Sequence, residues 1–301
     1  MDRFQAMRVF VRVVQAGSLT QAAQTLQLGR ATVTQLLKQL EAHLQVRLLN
    51  RTTRRVSLTA DGAAYYERAL QLLADLEEAE ASVGSARSQP RGRLRIDVPS
   101  PFAQQVLMPA LPDFVARYPG ITLEIGASDR AVDVIAQGVD CVIRGGELRD
   151  GGLIARRLCG LPLALHASPA YLARCGTPHQ PQDLQDPVHQ LVGFRGAGSG
   201  QVHLPQLSRG GQVLTPAMHC RLSVDDGNAC LAAGLAGLGI ICLPTYLTAV
   251  HVRAGELVPL LPQWELPPMP LHLVFAPNRY VSHRLRVFID WMTAQLQHGL
   301  A

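Results

Sequence analysis

Residues 30–44 carry two chemistries on opposite sides of one helical repeat. Val33, Leu36, Leu37, Leu40 and Leu44 recur at helical spacing and make an apolar stripe. At about 100° per residue the other side centres on Ala31, Gln35 and Lys38, flanked by Thr32, Thr34 and Gln39. An ordinary solvated face would be richer in Glu, Lys and Arg. This one offers small side chains, amides, hydroxyls and a single charge, the groups that allow close approach to a major groove and hydrogen bonding to base edges. Downstream, VRLLNRTTRRVSLT adds Arg51, Arg54 and Arg55, whose guanidinium groups suit phosphate contacts or a narrow minor groove.

Those groups need elements to position them. Met7, Phe10, Val11 and Val14 follow i, i+3, i+4, i+7 and predict an amphipathic helix that Gly17 ends. Ser18, with Gln21 three residues on, predicts a capping box for a short second helix with Ala22, Ala23 and Leu26 facing inward. Gln27-Leu28-Gly29 reads as a tight turn, and the third helix starts near Arg30. Two helices, a turn and a groove-facing helix make a helix-turn-helix plan. The β-like runs Val46–Leu49 and Arg55–Leu58 flank Asn50–Arg54 and predict a hairpin wing, so residues 1–60 read as a winged helix-turn-helix domain. The plainer alternative is a three-helix domain with a basic loop.

Charge distribution favours the first reading. The first sixty residues hold nine basic and two acidic side chains, whereas residues 61–90 hold two and six. A positive field confined to one end of a chain with net charge +5 is the footprint of a polyanion partner. At 301 residues, 48% apolar and 17% charged, the chain suits two or three packed domains rather than disorder. Arg3, Arg8 and Arg12 interrupt the first apolar stretch, so no secretory leader is read there, and no apolar run reaches membrane-spanning length. A cytoplasmic protein without a membrane partner is the expectation. The six cysteines form no C-x-x-C and no zinc-ligand spacing with histidine, so neither a metal nor another cofactor is expected.

Residues 61–90 read as a linker helix and hinge: one long helix is predicted from Thr59 to about Ala86, in which Tyr66, Leu70, Leu73, Leu76 and Val83 form a stripe. Such a stripe packs on its own domain or on a second copy. Ser85–Gly92 reads as a hinge by composition. From residue 91 short apolar runs alternate with helical patterns, which predicts an α/β domain. Strands are expected at Arg93–Val98, Ile121–Ile125, Cys141–Arg144, Leu161–His166, Leu191–Phe194, His219–Val224, Ile240–Leu243 and Leu271–Phe275. Helices are expected from Ser100 to Arg117, over Ala131–Gln137, from an opening at Asp225-Asp226-Gly227-Asn228 to Gly237, and over Tyr280–Gln297.

The N-terminal part resembles that of LysR-type transcriptional regulators. The resemblance rests on Gly17-Ser18-Leu19-Thr20-x-Ala22-Ala23, Thr32-Val33-Thr34, Leu40-Glu41, Val46-x-Leu48-Leu49-x-Arg51-Thr52-Thr53-Arg54 and Leu58-Thr59-x-x-Gly62. Residues 91–301 resemble the effector domain of the same family, a fold like periplasmic solute-binding proteins. There the carriers include Pro109-x-Leu111-x-x-Phe114, Asp140-Cys141-Val142-Ile143-Arg144-Gly145-Gly146, Ala167-Ser168-Pro169-x-Tyr171-Leu172 and Gly234-x-x-Gly237-x-Gly239-Ile240. The resemblance implies that Arg30, Ala31, Thr34 and Gln35 read bases while the wing arginines hold the backbone of a near-palindromic duplex. It implies a homodimer through the linker helix, a homotetramer, and contact with RNA polymerase. It further implies two subdomains, 91–161 with 268–301 and 162–267, with a small-molecule co-inducer in the cleft between them. Two positions depart from the family: Gly29 stands where Ser is usual, and Gln35 where Arg is frequent. Gln prefers adenine over guanine, so the half-site should differ accordingly.

Strand ends and helix starts place Ser100, Phe102, Ser128, Arg144, Phe194 and Arg195 as cleft candidates. Ser100 and Ser128 match family positions that often touch effectors. Arg144 is open between clamping a ligand carboxylate and pairing with a nearby aspartate. An enzyme is disfavoured because H-E-x-x-H, G-x-S-x-G and a phosphate-loop lysine motif are all missing, Lys38 being the only lysine. A solute-binding protein alone leaves the first ninety residues without a role. A redox-sensing member of the same family, acting through Cys220, Cys230 or Cys242, is the remaining alternative.

Overall fold

The computed structural model describes residues 2–51, 56–84, 89–130, 139–147, 152–196, 200–275 and 281–299. The chain divides into two compact units, Met1–Arg93 and Leu94–Ala301.

In the first unit, α1 (Arg3–Ala16) is capped by Asp2, whose carboxylate accepts from the N–H groups of Phe4 and Gln5. Gly17 ends it at φ 61°, a left-handed conformation that costs glycine little. For α2 (Leu19–Thr25), Ser18 Oγ accepts from Gln21 N. Gln27 takes φ 54° in the turn that follows. α3 (Arg30–Leu44) starts from Gly29 without a side-chain cap. Val33, Leu37 and Leu40 are buried beneath it with Phe10 and Ala22.

The wing starts later than its side-chain pattern suggests. β1 (Leu49–Arg51) pairs antiparallel with β2 (Val56–Leu58), Leu49 opposite Leu58. Val46–Leu48 is not strand, because Glu41 Oε1 accepts the N–H groups of Leu48 at 2.9 Å and Leu49 at 3.2 Å. The long helix α4 (Ala60–Gly84) is docked by Thr59, whose hydroxyl donates to Arg47 O and accepts from Gly62 N. Its first turns pack on their own domain: Tyr65 and Tyr66 lie 5.6 and 6.3 Å from the Phe10 ring, and Ala69 and Leu73 are buried. Leu72 is half exposed. The expected hinge at 85–88 lies outside the described residues.

The second unit runs β3 (Gly92–Val98), α5 (Ser100–Phe102), a π-helical turn (Ala103–Leu107), α6 (Met108–Arg117), β4 (Ile121–Ala127), β5 (Cys141–Gly145), β6 (Ile154–Leu161), β7 (Leu163–Ala167), α7 (Pro169–Cys175), β8 (Gln190–Phe194), β9 (Leu207–Arg209), β10 (Gln212–Leu214), β11 (His219–Val224), α8 (Gly227–Leu235), β12 (Ile241–Pro244), α9 (Thr245–Arg253), β13 (Val258–Leu260), β14 (Met269–Phe275) and α10 (His283–Gly299). One five-stranded sheet has the order β4-β3-β5-β14-β6, with β3 and β5 parallel and β14 antiparallel to both its neighbours. Phe114, Phe288 and Trp291 pack α6 and α10 into its core. The second half holds the antiparallel sheet β12-β7-β13 and the parallel pair β8–β11. The chain crosses between halves from β6 to β7 and from β13 to β14, the two-subdomain plan of solute-binding proteins.

Several boundaries differ from the sequence reading. The helix expected from Ser100 to Arg117 is present without a gap, but it widens into a π turn over Ala103–Leu107, just before Pro109, which has no N–H to give to the α ladder. The strand expected over Leu161–His166 is two strands split at Pro162. The closing helix begins at His283, not Tyr280. The helix expected over Ala131–Gln137 lies outside the described residues.

Candidate nucleic-acid interface and ligand cleft

α3 presents the expected face outward. Arg30, Ala31, Thr32, Gln35, Lys38 and Gln39 are exposed, and Thr34 is half-buried. Arg30, Ala31, Thr34, Gln35 and Lys38 line one shallow open hollow, which Gln39 and Ala42 extend by a further turn. Ala42 was not singled out in the sequence, although its i+4 spacing from Lys38 places it on that face. Thr34 is altered from its expected role: its hydroxyl donates to Arg30 O at 2.9 Å, which leaves it as an acceptor toward a base. Glu41, the one acid on this helix, has its carboxylate engaged by the base of the wing. That charge is directed to the wing base, and no acid stands among the exposed residues of the face, as suits a polyanion partner. Of the wing arginines, Arg51 ends β1, while its side chain, Arg54 and Arg55 lie outside the described residues.

In the second unit the cleft candidates gather at strand ends. Ser100 follows β3 and Ser128 follows β4; Ser128 N donates to Val98 O, tying these ends together. Ser128 Oγ accepts from Arg130 N at 3.1 Å. Phe194 ends β8 and Arg195 follows it, and Phe194 stands opposite Val224 of β11, just before Asp225-Asp226-Gly227. Arg195 is exposed, and its N–H donates to Val224 O. Residues 197–199 of the adjoining glycine-rich loop lie outside the described residues.

Two candidates move to structural roles. Phe102 is 1% exposed within the core of the first half, so it packs rather than lines the cleft. Arg144 donates to Asp97 at 2.5 Å, to Ile143 O at 2.9 Å and to Arg130 O at 3.1 Å. Its guanidinium is held by the protein's own oxygens, which favours pairing over a ligand clamp.

A residue not singled out from the sequence stands where the two halves meet. Asp129 Oδ1 accepts from Ser100 N at 3.0 Å, and Oδ2 from Gly227 N at 2.6 Å. Burial raises its pKa above the ordinary carboxylate value, with these two bonds opposing the shift. Tyr246 lies nearby, its phenol held protonated first by burial and then by the Asp129 charge. An acid directly after a strand-end serine was the available signal.

The thiols of Cys230 and Cys242 are pushed up to about 12 by burial, which keeps them protonated and poorly nucleophilic at neutral pH. Cys220 is exposed, and its Sγ donates to Leu222 O. Among the described residues no helix is long and apolar enough to cross a membrane.

Residues 4–63 match the family model for bacterial regulatory helix-turn-helix proteins of the lysR family, and residues 87–297 match that for the LysR substrate binding domain. An HTH-type transcriptional repressor of Pseudomonas aeruginosa is 42% identical over 295 residues, covering 97% of this chain and 92% of its own. The structure of CrgA, a LysR-type regulator from Neisseria meningitidis, is 35% identical, covers 97% of this chain and 98% of its own, and superposes with a TM-score of 0.59. For full-length AphB, a virulence activator of Vibrio cholerae, the corresponding values are 28%, 96%, 98% and 0.58.

Proposed function

The chain belongs to the LysR family of transcriptional regulators, and from that premise we propose which of its residues meet DNA and effector. It is a regulator rather than an enzyme, with a helix-turn-helix DNA-binding domain and an effector-binding domain whose ligand modulates its activity. In our reading residues 1–60 bind DNA, 61–90 link and dimerise, and 91–301 bind the effector. Arg30, Ala31, Thr32, Thr34, Gln35 and Lys38 read a major groove, and Arg51, Arg54 and Arg55 hold phosphates.

The observation that carries this reading is the outward face of α3, where exposed small, amide and cationic side chains share one hollow while the neighbouring acid is tied to the wing. A two-fold dimer through α4 fits a near-palindromic duplex, since symmetry in the protein is mirrored in its site. Pairing of dimers into a tetramer, contact with RNA polymerase and a cytoplasmic location complete the proposal. The effector, a small co-inducer, enters the cleft beside Ser100 and Ser128, where the Ser100 N–H already accommodates a carboxylate oxygen. It favours one closure of the two halves over another by its differential affinity.

The test is operator binding by the full-length protein, measured by fluorescence anisotropy with and without a panel of aromatic and aliphatic carboxylates. A carboxylate that shifts the operator midpoint and also raises the unfolding temperature of the wild type, but does neither in Ser100→Pro, supports the cleft. A shift that persists unchanged in Ser100→Pro places the effector elsewhere.

A further inference from the structure

The amides that would receive an anionic ligand already hold a carboxylate. Asp129 follows β4 in the first half of the C-terminal unit, and one of its oxygens takes the N–H of Ser100 in the same half. The other takes the N–H of Gly227, first residue of the nine-residue helix α8 in the second half. A single side chain thus joins backbone donors from both sides of the cleft. The approach is close: a Cβ on Gly227 would come within 2.7 Å of the Pro101 ring. Arg130 and Asp225 pair at 3.7 Å across the same seam, and Tyr246 packs against the cores of both halves. Burial and the adjacent Asp226 both disfavour the charged form of Asp129, whereas the two amide bonds and the Arg144 charge favour it.

We propose that Asp129 is an intramolecular ligand of the cleft: its carboxylate fills the anion position between the Ser100 and Gly227 amides, latches the two halves, and is displaced by a carboxylate effector that takes that position. Only the last step rests on the reading of the cleft as the effector site. An internal occupant lowers the apparent affinity of any competing anion by the fraction of molecules in which the site is free. Removing Asp129 vacates the site for a small external carboxylate.

The experiment uses the full-length wild type, Asp129→Ala and Asp129→Asn, with sodium formate as the probe against sodium chloride at equal ionic strength. Amide hydrogen exchange at Gly227 and thermal unfolding are the readouts. In Asp129→Ala the Gly227 amide is expected to exchange at least about tenfold faster, a loss of roughly 1.4 kcal/mol of protection. Formate should then restore protection and raise the unfolding temperature saturably, with no such response in wild type. Unaltered Gly227 exchange in Asp129→Ala, or an equal formate response in both proteins, overturns the proposal. Should Asp129→Ala not fold, Asp129→Asn keeps the shape with one acceptor oxygen and is expected to lose protection at Ser100 or Gly227. Protection retained at both overturns it. Formate binding to Asp129→Ala that leaves operator affinity unmoved keeps the latch and removes the effector reading.

Discussion

Arg144 and Asp97 form an enclosed ion pair, Nη2 2.5 Å from Oδ1, with only 13% and 11% of their side chains exposed. The pair ties β5 to β3 beneath the ends of the strands that frame the cleft. Gly126 of β4 makes room for it, since a side chain there would collide with the Asp97 carboxylate. Removing one partner leaves a buried charge unpaired, which costs about 3–5 kcal/mol. Arg144→Ala should therefore lower the urea unfolding midpoint of the C-terminal unit, and Arg144→Lys should recover part of the loss. An unchanged midpoint, with effector response alone impaired, would return Arg144 to the role of ligand clamp.

A different kind of contact is proposed for the wing. Arg54→Ala is expected to weaken binding across duplex sequences and to flatten the slope of log affinity against log salt by about one unit, the signature of one lost phosphate contact. Titrations over a series of salt concentrations measure it. The same slope in both proteins means that Arg54 does not neutralise a phosphate.

Gly62 fixes the angle at which α4 leaves the wing. A Cβ at this position has no room beside the Leu48 carbonyl, which also accepts the Thr59 N–H. Gly62→Ala must push the helix away, a strain of about 1–3 kcal/mol. Calorimetry on the full-length protein should show the DNA-binding unit melting several degrees lower while the other unit is unmoved. Coincident melting with wild type would show that the backbone relaxes without cost.

His166 gives the C-terminal unit a pH dependence. It is 3% exposed, and burial holds its imidazole below the usual value of 6.5. As pH falls through 6.5 the unfolded chain takes up a proton that the folded chain still refuses. The unfolded state then binds more protons, and stability falls until the folded imidazole also titrates. His166→Gln should flatten this acid-side decline in urea midpoints between about pH 7.5 and 5.5. An identical decline in both proteins would assign the effect to other groups.

The legible parts of the chain are those where side-chain period and local chemistry agree. α1 to α3 follow from their apolar stripes, the Ser18 cap and Gly17, and the outward face of α3 follows from the same stripe; the Asp2 cap emerged only from the structure. The start of the wing was not legible, because Val46–Leu48 looks like a strand while Leu48 gives its N–H to a carboxylate seven residues back. β6 was missed because Arg156 and Arg157 interrupt any alternation; it lies at the sheet edge, where one side needs no apolar partner. Phe102 and Arg144 sit at strand ends that suggest a cleft, and only packing shows one in the core and the other paired. The bridge from Asp129 to Gly227 spans 98 residues, beyond the reach of any local pattern.

Gln35 stands at the centre of the α3 face proposed to read base sequence. The direct measurement is selection of bound duplexes from a random library by full-length wild type and Gln35→Ala, followed by sequencing. A near-palindromic site is expected in which wild type favours adenine at one symmetry-related pair of positions. Gln35→Ala should lose that preference, at about 1–3 kcal/mol for each bidentate contact removed. The same base preference at every position in both proteins, or no enriched site for the wild type, would contradict it.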